Sequence, residues 1–392
     1  MTRWGDCAAP GPGLASPDHG TGEHMVHGGP GRRAAAIMAT AALVSALAGA
    51  VAAPVGAAES TTFTWSGQSE VATGDAKMST PGNWAGGVAP APGQQVDLVF
   101  PSLTCVLNSS CGLVVNDVPG LVATSISVTT PGRPPGPESS IFGYTFEGSG
   151  IRLTGPLNVG DDTTLGTSLK PVGWGIPLEL EGPATWSVRS DFDVDALVTG
   201  ESLTVQIRGG SVNVHAAIET GRFVQRGRGW SEVSGGSVNR ASGGPVVYDG
   251  RGLLDVQDAR FGPLKLRGTD LILHDGKRPT RVGGSLKLDD RVEVFMLDAN
   301  PDRPLLKAMG RVILGGAKLN GYVDCTGVDR GKPFTVIRGE EVRGTLSDQK
   351  GRPIPDGSVV RSLGEEDCYA APVAVRIGYT ARAVTFTVIS TP

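Results

Sequence analysis

The chain has 392 residues, with 58 glycines, 28 prolines, 5% aromatic and 19% charged residues, and a formal net charge of -4. That length accommodates one large domain or two ordinary ones, and the glycines follow no three-residue period, which excludes a collagen-like fibre. The slightly acidic balance argues against a polyanion such as nucleic acid as partner, because that binding needs a concentrated Lys/Arg face.

Residues 1–58 read as an N-terminal extension plus a signal peptide, with Met25 as the expected start. Arg32 and Arg33 precede an apolar run from Ala34 to Ala53, and small residues follow up to Glu59. Positive, apolar, then small is the order of a secretory signal. The run has the length of a membrane span. It is dominated by alanine, interrupted by Ser45 and Gly49, and has no positive flank behind it, so cleavage and a secreted or extracellular product are expected. No lipobox cysteine or C-terminal apolar tail accompanies it, so any cell-surface attachment is expected to be non-covalent.

Cys7 belongs to this leader, which leaves Cys105, Cys111, Cys325 and Cys368. An even number in an exported chain reads as disulfides, with three connectivities open. The preferred pairing is Cys105–Cys111 and Cys325–Cys368. The spacing fits no zinc site, and no cofactor is expected.

From Ser60 onward apolar residues alternate in short runs, such as Leu203/Val205/Ile207, Leu264/Leu266 and Val384/Phe386/Val388, each bounded by Gly, Pro, Asp or Asn. Period two with that punctuation predicts strands, and no amphipathic helix follows the leader, so the chain is read as all-β. Gly-Gly-Ser-Val-Asn occurs at 209–213 and again at 235–239, with looser forms at 283–287 and 315–319. The spacing is uneven but is read as whole coils of unequal length, each glycine pair shaping a tight corner. Stacked coils would bury a narrow core of Val, Leu and Ile, which suits the shortage of aromatics.

The stretch "TWSGQSEVATGDAKMSTPGNWAGGVAPAPGQQVDLVFP" resembles the N-terminal part of exported β-helical proteins with autotransporter-associated β-strand repeats. "YTFEGSGIRLTGPLNVG", "IPLELEGPATWSV" and "GSLKLDDRVEVFML" are similar to the repeats, and the stretch from "GKPFTVIRGEEVRG" to "VAVRIGYTARAVTFTVIS" is similar to the closing unit. The resemblance implies a right-handed parallel β-helix (β-solenoid): an N-terminal cap and first coils over 59–140, repeats over 141–320, and a closing β unit over 321–392. Two features depart from the pattern. Met78 stands where a second Trp is usual, and no membrane barrel precedes Pro392, so self-transport is not expected.

Four sets of residues are candidates for function. "SDFDVDAL" puts Asp191, Asp193 and Asp195 on one strand face. This row either serves a polysaccharide-active β-helix lyase or hydrolase, or binds Ca²⁺, or is a solvated edge; a second carboxylate or a basic residue facing it from the next coil would favour the enzyme. "GRFVQRGRGW" brings Arg222, Arg226 and Arg228 beside Trp230, either as a patch for an acidic glycan or a lipid headgroup or as an exposed loop in which Trp230 packs on an Arg stem. Trp65, Trp84, Trp174 and Trp186 are either sugar platforms or fillers; Trp65 and Trp84 are read as capping the first coil and Trp186 as core. The pairs Asp161-Asp162 and Asp289-Asp290 are read as turn residues. No nucleophile elbow or phosphate loop is present, and His215 is read as a strand-face residue. The chain is therefore expected to be a surface or extracellular binding and structural protein that presents loops to an extracellular polysaccharide or a cell-surface protein, without catalysis.

Overall fold

A computed structural model describes residues 60–102, 112–129, 143–160, 172–296, 301–323, 331–361 and 374–390. The four cysteines of the expected mature chain, the leader, and Asp161-Asp162 lie outside the described residues. Apart from the short helix Gln68–Thr73 and the 3-10 turn Pro81–Asn83, the regular structure is strand. Alternation produces it. In Val198–Ile207, Leu203, Val205 and Ile207 are buried while Thr204 and Gln206 face out, the two-residue period of a half-buried strand.

The strands stack in parallel on three faces. On the third face, ten strands pair in chain order from Leu113–Asn116 to Lys318–Val323. The first and second faces are two ladders within one larger sheet, and in the middle of the chain one bent strand serves both. Val198 pairs with Leu178 and Leu203 with Ala184, with the register shifting between Gly200 and Ser202. After Ala217–Gly227 the ladders separate. The first continues through Ser237–Val238, Arg260–Phe261, Thr280–Val282 and Leu306–Ala308. The second runs through Val246–Gly250, Leu264–Arg267, Leu286–Leu288 and Arg311–Ile313. Along the first ladder Val198 pairs with Ile218 and Ile218 with Val238, a step of twenty residues. Each rung thus bonds to the coil before and the coil after, which satisfies its backbone polar groups. The chain is all-β with long parallel sheets, consistent with a solenoid. The last rung differs: Pro333–Arg338 pairs antiparallel with Ala383–Ser390, which in turn pairs antiparallel with Ala374–Tyr379. This hairpin occupies an edge that would otherwise accept another strand.

The coil step corrects the reading of the glycine motif. Gly209-Gly210 lies between the second and third faces, Gly235-Gly236 between the third and the first, and Gly283-Gly284 between the first and the second. The motif marks corners of any kind, and its spacing does not count whole coils. A glycine pair encodes a tight bend, which every corner needs and which carries no record of its phase.

Between the faces lies one continuous core of Val, Leu and Ile. Its N-terminal half also holds an aromatic column, in which Phe100 meets Phe146 edge to face at 4.8 Å, Phe146 lies tilted against Trp174 at 4.5 Å, and Trp186 meets Phe192 edge to face at 5.8 Å. Below it, Phe63, Trp65 and Trp84 form an edge-to-face cluster. Trp65, Trp84, Trp174 and Trp186 are all buried, so none is a sugar platform. Val96, Leu98 and Phe100 are buried in the first long strand, Gln95–Phe100.

Candidate functional site on the third face

Phe192 and Val194 are fully buried in the strand Phe192–Val194, so alternation turns Asp191, Asp193 and Asp195 outward. Asp193 pairs in register with Gly173 on one side and Asn213 on the other. Asn213 pairs with Glu232, and Glu232 with Asp255. A polar column therefore climbs the third face, one side chain every ~4.8 Å.

Hydrogen bonds fix its lower end. Asn213 Nδ2 donates to Asp193 Oδ1 at 2.7 Å, and the Ser211 hydroxyl donates to Asp191 Oδ1 at 2.9 Å. At the upper end, the Asp255 carboxylate lies 3.1 Å from His274 Nε2. Burial pushes the Asp193 carboxyl above its ordinary value, and Asp195 and Asp191 add to the shift; the Asn213 hydrogen bond and the nearby His215 oppose it. Glycine at 173 leaves room on the opposite side, since a Cβ there would meet nothing closer than 3.9 Å.

The structure divides the second candidate cluster. "GRFVQRGRGW" is not a loop: Ala217–Gly227 is one strand and Trp230–Ser234 the next. Arg222 and Arg226 face outward on the second ladder, where Arg226 pairs with Gln206 and Asp249, and Arg228 sits on the corner beyond it. Trp230 falls on the third face, in register with Ser211 and Leu253, with half its surface (50%) exposed. The corner thus parts Trp230 from Arg222 and Arg226 and places it beside the Asp row, a pairing that sequence reasoning did not make.

The arrangement combines an exposed indole with fixed carboxylate and amide groups on one parallel sheet. Pyranose rings stack on such indoles through their C–H faces, and their hydroxyls donate to carboxylates. The neighbour facing Asp193 from the next coil is an amide, Asn213, and a basic residue also faces the row from that coil, since His215 follows Val214, the register partner of Val194, and its charge acts on Asp193. The next carboxylate in the column is Glu232, two rungs or about 9.6 Å away along the backbone. Among the described residues no group of three or more His, Cys, Asp and Glu side chains is placed to hold a metal ion, and no helix is long and apolar enough to cross a membrane. Asp289, read as a turn residue, accepts the Gly268 and Arg291 amides at 3.0 and 3.1 Å. Asn213, Glu232, Asp255 and His274 were missed in the sequence. The signal that places the first three in the Asp193 column is the coil step, which no local motif announces.

Comparison with family models, with curated proteins and with solved structures returns no match.

Proposed function

We propose that the chain is an exported right-handed β-solenoid, capped by the Phe63/Trp65/Trp84 cluster and closed by the C-terminal antiparallel unit. In this reading it acts outside the cell as a rigid scaffold whose third face binds a polysaccharide without cleaving it. The observation that carries the reading is the exposure of Trp230 on the same sheet face as Asp191, Asp193, Asn213 and Glu232. The indole offers a sugar ring an apolar face with a polar edge, and its polar neighbours supply the hydrogen bonds that orient it. Secretion fits the N-terminal pattern of positive, apolar and small residues.

One observation favours a second reading, a polysaccharide hydrolase. Asp193 is a half-buried carboxyl with a raised pKa, the property of a general acid. The backbone separation to Glu232, about 9.6 Å, falls just outside the roughly 6.5–9.5 Å between the carboxyl groups of inverting glycosidases. A glycan array probed with the secreted protein and with Trp230→Ala, run beside a reducing-end assay, separates the two. Binding lost in Trp230→Ala without release of reducing ends supports the scaffold. Release of reducing ends that disappears in Asp193→Asn overturns it in favour of the enzyme, and an array with no Trp230-dependent binding overturns the assignment of the face.

A further inference from the structure

Arg260, Arg281, Lys307 and Arg338 hold one register position on four consecutive rungs of the first ladder. Arg260 pairs with Arg281, Arg281 with Lys307, and Lys307 with Arg338. Their strand neighbours Phe261, Val282, Ala308 and Ile337 are buried, so alternation turns the four cations outward. At ~4.8 Å per rung the column extends over about 14 Å along the stacking direction. Among the described residues, none of the four side chains takes part in an ion pair. Like charges directly opposite one another destabilise a sheet, so this column costs the fold stability that its core must make up.

The surroundings reinforce the charge. Arg240 and Arg278 stand at the flanking corners, and their field, with that of Arg281, holds the Arg260 guanidinium below its usual value. Beyond Arg338 the Gly339 amide donates to the Arg382 carbonyl at 3.0 Å. Lys307, Arg338 and Arg382 share a shallow depression of about 350 Å³ with Met309 and Glu340. Glu340 is the one acid lining it. Asp258, near the lower end, accepts the backbone amides of Lys277 and Arg278. On the neighbouring ladder Lys265 and Lys287 repeat the pattern over two rungs.

From this placement we infer that the first ladder carries a second site, for an extended anionic polysaccharide laid along the stack with its carboxylates or sulfates against successive rungs. A straight single file of cations, one per β-rung, fits a polymer that carries about one acid group per sugar ring. Guanidinium forks grip carboxylate and sulfate through paired N–H donors. A single nucleic-acid strand is bound on aromatic stacking platforms, and Trp230, the one aromatic among the exposed large apolar side chains of the described residues, lies on a different face. The site goes beyond the third-face reading and does not depend on it. The overall balance is -4, yet folding gathers cations from four separate coils into one column.

The test uses the full chain, immobilised polygalacturonate as the acidic probe and dextran as the neutral one. The variant is Arg260→Gln/Arg281→Gln/Lys307→Gln/Arg338→Gln. Wild type should bind polygalacturonate and release it as salt rises. The variant should bind about tenfold more weakly or less, with an unfolding midpoint equal to or above wild type because repulsion is relieved. If the fourfold change impairs folding, Arg281→Glu alone, which converts repulsion into attraction, should give the same loss of binding in a folded protein. Undiminished binding by these variants overturns the site, as does equal retention on dextran. Tighter binding to a single-stranded oligonucleotide or to anionic phospholipid vesicles overturns the polymer assignment. Loss of polygalacturonate binding in Trp230→Ala instead would move the acidic polymer to the third face. Trp230-dependent binding of neutral glycan with no binding of polygalacturonate would sink this site and leave the third-face reading standing.

Discussion

Trp65 and Trp84 meet edge to face, with centroids 5.1 Å apart and ring planes at 89°, and their backbones form an antiparallel bridge. Trp84 also donates its indole N–H to the Met78 carbonyl at 2.7 Å. The bridge folds the segment after the short helix back beneath the first long strand, so that Trp65 and Trp84 both reach Phe100. Met78 is itself buried and supplies the carbonyl that orients Trp84.

Trp84→Ala should therefore destabilise the protein by about 3–5 kcal/mol, the usual cost of removing a buried Trp with incomplete collapse around it. Denaturant unfolding followed by the fluorescence of the remaining tryptophans checks this. An unchanged midpoint would show that the cluster contributes nothing to the first coil.

Several of these elements were legible in the sequence because their signal is local. Alternation of period two marks the strands, and the Leu203/Val205/Ile207 run alternates in the sequence as it does in the fold. Asp191, Asp193 and Asp195 were placed on one face for the same reason. The partners were not legible. Asn213 and Glu232 reach the Asp193 column through register between coils, and corners of uneven length hide that register. The Arg260–Arg338 column illustrates the limit: none of its members belongs to a basic run, and only the stacking assembles them. "GRFVQRGRGW" shows the converse, since residues adjacent in sequence part company at a corner.

The two copies of Gly-Gly-Ser-Val-Asn offer a comparison within one sequence motif. Gly210 and Gly235 both have φ of +69°, but a Cβ on Gly210 would lie 2.3 Å from the Ser190 carbonyl carbon, whereas nothing lies within 4 Å of one on Gly235. Gly235→Ala should cost about 1 kcal/mol, from the left-handed conformation alone. Gly210→Ala adds a clash with the neighbouring coil's backbone and should cost more than about 3 kcal/mol. Thermal unfolding of the two variants measures the difference, and equal costs would mean that the coils separate freely at that corner.

Asp97 and Asp193 carry pH dependence of opposite sign. The hydroxyls of Ser125, Ser60 and Thr124 hold the Asp97 carboxyl below its ordinary value of 3.8. Its contribution is present above that value and lost as pH falls through the lowered one. Burial holds Asp193 above 3.8, so its neutral form stabilises the fold below 3.8 and the contribution is lost as pH rises through the raised value. Asp193→Asn should match wild type in melting temperature near pH 3 and exceed it near pH 7. Asp97→Asn should fall below wild type near pH 7, with the gap closing in acid. Melting curves across that range test both, and parallel profiles for the two variants would contradict the assignment.

Gln225 and Ser231 form a polar pair inside the core, where the Ser231 hydroxyl donates to Gln225 Oε1 at 2.7 Å and both residues are buried. They come from strands on the second and third faces of one coil, so the bond ties two faces together across the corner that carries Arg228. Ser231→Ala strands a buried amide oxygen and should cost about 1–3 kcal/mol. Gln225→Leu leaves a hydroxyl without its acceptor and should cost a similar amount. The double variant replaces both partners with apolar groups, and it should be markedly less destabilised than the sum of the two singles. A double-mutant cycle by urea unfolding reads that coupling directly. Additive costs would mean that the hydrogen bond contributes nothing to holding the corner.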